Sequence, residues 1–182
     1  MLIKTIISLS LIIFFLGGTK PSTEIIPGVG TDSISIGKTK ITQVFARYSK
    51  RDDFNMTPVQ GTDFSMDINR YYYHKPDLIF MTNVIQPSNS FEMNGEDTVN
   101  AVVADIVFGA KSGAHTQEGI IIGTDSLGQV RKIYGEPEKI QASGSDKTFI
   151  YTKKGISFTA NTTKNIVYEI EVFRPRLFSS HY

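Results

Sequence analysis

The chain has no cysteine, and that absence excludes disulfides, thiolate nucleophiles and thiolate metal sites together. A chain without disulfides must be stabilised by its core. Neither sign of charge is in excess: 19 Lys and Arg stand against 18 Asp and Glu in 182 residues, which leaves no basic footprint for nucleic acid or an anionic membrane. Histidine is scarce. His74, His115 and His181 are the three present, and none has a second His or a carboxylate at helical ligand spacing, so no zinc site is expected. A phosphate cradle is missing as well, because Gly109-Ala110-Lys111-Ser112-Gly113 lacks the P-loop spacing. The carboxylates of Asp63 to Asp67 and Asn94 to Asp97 lack the alternating oxygen ligands of a calcium loop. The expectation is a protein with no cofactor and no metal.

Long hydrophobic runs are nearly absent too, with one exception at the start. Ile6 to Leu16 (IISLSLIIFFL) follows Lys4 and is followed by Gly17-Gly18-Thr19. A helix needs about 20 apolar residues to cross a bilayer, so this run suits the apolar segment of a signal peptide better than a membrane span. Residues 1–19 read as a cleaved signal, the alternative being an uncleaved anchor. No cysteine follows the run, so there is no thiol to acylate. The reading is an exported protein, periplasmic or secreted, and the disulfide-free composition favours a bacterial envelope.

Apolar periodicity is what the chain does have. Residues 20–33 carry Pro, Gly, Ser and Thr without periodicity and read as a linker. Ser33 to Gly37 then alternates, and Ile41, Val44, Phe45 and Tyr48 fall on one helical face. The pattern returns 86 positions later: Gly37 aligns with Gly123, Ile41 with Leu127, Gln43-Val44 with Gln129-Val130, and Tyr48 with Tyr134. Further on, Tyr73 to Phe80 aligns with Tyr151 to Phe158, and Val102 to Phe108 with Val167 to Phe173. These alignments predict an α+β protein of two divergent β-α-β-β-β repeats, 34–108 and 120–173. A linker at 109–119 and a tail at 174–182 complete the division.

In the second repeat Thr124 or Asp125 is placed to cap the helix, Gly135 to end it in the left-handed conformation, and Pro137 to prevent its extension. Lys153-Lys154-Gly155 reads as a hairpin turn and Asn161 to Lys164 as the next turn. Ile170 and Val172 alternate with Glu169, Glu171 and Phe173, which predicts an antiparallel sheet with one buried face. Helices should cover that face and leave the other open, with the repeats related by a pseudo-twofold axis.

Gly123, Asp125, Ser126, Val130, Tyr134, Gly135 and Pro137, followed by Tyr151, Gly155, Ile156 and Phe158, give the chain its resemblance to a known group. They resemble the small exported domains grouped with the outer-membrane assembly lipoprotein BamE and with the β-lactamase inhibitor proteins. A tandem pair is closer to the inhibitor proteins than to BamE, which has one unit. The resemblance implies an exported, non-enzymatic, partner-binding protein. The chain departs from the group in having no lipobox Cys, no disulfide pair and a strand before the first helix.

Asp125-Ser126 beside a histidine is compatible with hydrolysis, but the pair sits where a helix cap belongs and no G-x-S-x-G elbow occurs. The remaining candidates are loops of the first repeat, Arg51 to Asp67 and Asn83 to Asp97, which carry aromatic residues and Met among polar ones. Phe54, Phe64, Tyr72, His74 and Phe91 are the expected binding residues. The expected partner is a protein or an envelope component, met through the open sheet face and these loops. A secreted hydrolase with a site between the repeats and a structural envelope protein are the alternatives.

Overall fold

The computed structural model describes residues 23–48, 54–60, 65–73, 78–87 and 102–175. The expected signal and Phe64, His74 and Phe91 lie outside them. In chain order the elements are β1 (Glu24–Ile26), β2 (Gly30–Thr31), α1 (Ile41–Tyr48), β3 (Phe54–Gln60), β4 (Ser65–Tyr73), β5 (Leu78–Pro87) and β6 (Val103–Gly109). A 3-10 turn (Ala110–Ser112) leads to β7 (His115–Thr116), α2 (Leu127–Tyr134), β8 (Lys139–Ser143), β9 (Asp146–Tyr151), β10 (Ile156–Asn161) and β11 (Ile166–Phe173). The fold is α+β. Eight strands form one antiparallel sheet in the order β3-β4-β5-β6-β11-β10-β9-β8.

Each half of this sheet is a four-strand meander preceded by a helix, and the two halves meet where β6 pairs with β11. That corrects the expected element order. Ser33–Gly37 and Ile120–Gly123 are turns rather than strands, and a fourth strand, β3 or β8, follows each helix. The turns form because a side chain captures the backbone: Thr39 Oγ1 accepts from the Ser35 N–H at 2.8 Å, and Asp125 Oδ2 accepts from the Ile121 N–H at 2.7 Å. Both segments expected to be linkers also contain strands. β1 sits between β2 and β7 in a second, three-stranded sheet, antiparallel to β2 and parallel to β7.

The helices form because each buries one stripe. Ile41 and Val44 on α1 and Leu127, Val130 and Tyr134 on α2 join a single apolar cluster with Ile106, Phe108, Phe149, Tyr151, Ile156, Phe158, Ile170 and Val172 from the sheet. Ser126 caps α2, its Oγ accepting from the Gln129 N–H at 3.2 Å. The expected cap is Thr124 or Asp125; the Asp125 carboxylate instead closes the Ile121 turn, and the helix starts one or two residues later than the sequence suggests. Gly135 does end α2, with φ of 83° but ψ of −161°, so its conformation is not the expected left-handed helical one.

The two halves share more than element order. The Gly37 N–H donates to the Val103 carbonyl at 2.7 Å, and the Gly123 N–H donates to the Val167 carbonyl at 2.7 Å. In return the Val103 N–H donates to the Thr39 carbonyl at 2.9 Å and the Val167 N–H to the Asp125 carbonyl at 2.8 Å. Each last strand carries a bulge near its start, Ala104 opposite β5 and Tyr168 opposite β10. These matches relate β6 to β11 by 64 positions, not the 65 read from sequence. A slip of one residue exchanges the faces of a strand, and 65 would set buried Phe108 against Phe173, whereas 64 sets it against buried Val172.

Candidate functional site

Directly paired residues share a face, so the sheet register sorts every strand. One row runs Phe54, Tyr72, Phe80, Ile106, Val172, Ile156, Tyr151. Ile106, Val172, Ile156 and Tyr151 are buried in the cluster that receives both helices, so these four lie on the covered face. The intervening rows belong to the other face. One runs Val107, Glu171, Ser157, Ile150, Lys139, and the next joins Asp105 and Phe173. Among the described residues neither helix packs on this second face.

The second-half part of the open face is a hydrogen-bonded polar ladder. Thr148 Oγ1 and Thr159 Oγ1 lie 3.1 Å apart, Thr159 Oγ1 donates to Glu169 Oε1 at 3.4 Å, and Ser157 Oγ donates to Glu171 Oε2 at 3.2 Å. Both residues are buried, Ser157 to 3 % exposure and Thr159 to 9 %. Glu169 and Glu171 are half-buried. Burial first, then the Glu171 and Asp146 charges, raise the Glu169 carboxyl above the usual carboxylate range, and the Thr159 hydroxyl opposes the shift. At the edge of the ladder Tyr168, the bulged residue, is also raised, by burial and by its hydrogen bond to Asp146.

A carboxyl raised by folding lowers stability as pH rises: the cost is absent below its unfolded value and complete above its folded one. Glu169→Gln keeps an acceptor for the Thr159 hydroxyl and removes the charge. Thermal melts should show the variant with the higher Tm at about pH 7 and with little difference at about pH 4. A lower Tm at the higher pH would mean that the carboxylate is stabilising where it sits.

Of the residues expected to bind a partner, Phe54 and Tyr72 are brought together as a directly paired position on β3 and β4. The segment Arg51 to Asp67, expected to be a loop, contains β3 and the start of β4. Its neighbours are also longer than their second-half counterparts, with nine residues in β4 and ten in β5 against six each in β9 and β10. The ladder residues Thr148, Ser157 and Thr159 were missed because their grouping needs three strands in register. Alternation at Glu169 and Glu171 was the one local signal.

No group of three or more His, Asp or Glu side chains among the described residues could hold a metal ion. None of the described helices is long and apolar enough to cross a membrane. No protein-family model, no curated protein and no solved structure matches the chain.

Proposed function

We propose that the protein is an exported, non-catalytic binding protein of two divergent copies of one unit, and that it holds a protein or an envelope component on the open face of its eight-stranded sheet. The observation that carries this reading is the asymmetry of the sheet. Among the described residues one face is closed by both helices, and the other carries a preformed polar ladder whose Glu169 and Glu171 carboxylates supply oriented acceptors at little entropic cost. The shared turn bonds, the shared bulge and the mirrored strand order support the two-copy origin. The resemblance to the group of BamE and the β-lactamase inhibitor proteins belongs to the same proposal, as does export by the N-terminal apolar run. The longer β4 and β5 give the first half a longer stretch of sheet than the second. The test is site-directed photo-crosslinking from Phe173 in cells: a partner is captured from this open-face position, and capture only from the helix side would refute the reading.

A further inference from the structure

The two edges of the eight-stranded sheet differ. At one edge β3 carries Pro58 in its middle, a residue with no N–H to offer an incoming strand. The opposite edge has no such block. All five residues of β8 are exposed, including Ile140 at 46 %, and among the described residues no backbone bond to them is made outside the pairing with β9.

The direction of the free backbone groups follows from the turn next to it. The Thr162 N–H donates to the Ser145 carbonyl at 2.7 Å, which makes Asn161 and Asp146 a wide pair and turns the Asp146 N–H and carbonyl away from β10, toward β8. Ser143 and Asp146 then close the Gly144-Ser145 hairpin as a narrow pair, and alternation points the backbone of Gln141 and Lys139 inward as well. The N–H and carbonyl groups of Ile140 and Ala142 face out.

We propose that β8 is a self-pairing edge, through which two copies of the chain join antiparallel about a twofold axis at Gln141. In that register Ile140 of each copy meets Ala142 of the other and they exchange about four backbone hydrogen bonds. Lys139 falls opposite Ser143, so no like charges oppose, and Ile140 is covered on the helix-bearing side. The strand is its own complement, which is what an isologous contact requires, and the result is one continuous sheet. A five-residue edge is small for an interface, so the dimer forms by mass action at high concentration.

Sedimentation velocity of the purified protein over a roughly hundredfold concentration range tests this directly. The wild type moves from monomer to dimer. Ala142→Pro removes an outward N–H and no bond to β9, so it keeps the wild-type thermal melt and stays monomeric throughout. Gln141→Lys leaves every backbone group in place but sets two ammonium groups together at the axis, weakening association by at least about tenfold, with recovery at high salt. The second variant decides the matter if the first fails to fold. A wild type that remains monomeric, or variants that associate as it does, would overturn the proposal.

Discussion

Gly155→Ala is expected to lower the stability of the protein by about 3 kcal/mol or more, equivalent to a fall in Tm of roughly 6–12 °C. Two effects add. Gly155 has φ of 68°, a conformation in which any side chain is strained. A Cβ there would also overlap the Phe173 carbonyl oxygen and come within 2.7 Å of the Gly28 Cα, and backbone atoms cannot rotate away as a side chain would. The position is crowded because three segments meet. The Gly155 carbonyl accepts from the Phe173 N–H at 3.0 Å and from the Gly28 N–H at 3.2 Å, tying the β9–β10 turn to the end of β11 and to the turn between β1 and β2. Relief of the overlap must break one of these bonds, so the small sheet should loosen from the large one. A thermal melt, with amide exchange at Gly28 and Phe173, measures both consequences.

Phe158→Ala should cost about 3–5 kcal/mol, a large part of the stability of an ordinary domain. Phe158 is fully buried and is the centre of the aromatic packing under α2, with ring centroids 5.0 Å from Tyr134 and 6.0 Å from Tyr151, both edge-on. The neighbours cannot collapse into the space, since their hydroxyls are anchored. Tyr134 Oη donates to Glu118 Oε2 at 2.6 Å, and Tyr151 Oη donates to the Gly135 carbonyl at 2.9 Å. Burial pushes the Tyr151 hydroxyl up to about 12, so both phenols stay neutral donors through the physiological range. Urea unfolding should give a lower midpoint with an unchanged slope. A loss under about 1 kcal/mol would mean that the site relaxes, against the packing described.

What the sequence makes legible here is local. The helical spacing of Ile41, Val44 and Tyr48 and of Leu127, Val130 and Tyr134 is visible within a turn or two, as is the alternation of Glu169 to Phe173. Contacts between distant segments are not. β1 and β7 contribute three and two residues and are separated by nearly the whole first half of the chain, so nothing in either segment announces their pairing. Asp125 looks like a cap because it has the right chemistry, and Ser126 takes the role because the Asp125 carboxylate is engaged by the Ile121 N–H. The three consecutive tyrosines 71–73 show no alternation, and their backbone places opposite Met81, Phe80 and Ile79 come only from the register of β4 with β5. The open-face ladder was half legible. Its carboxylates stand out on β11, whereas the hydroxyls that bind them come from β9 and β10.

The open face as the binding surface is tested most directly by photo-crosslinking in cells from three positions. Phe173 and Ile150 lie in open-face rows, and Ile133 is 38 % exposed on α2 at the helix-bearing side. A photoreactive residue at either sheet position should give the same crosslinked partner, and one at Ile133 should give none. A partner captured at Ile133 but at neither sheet position would contradict binding through the open face.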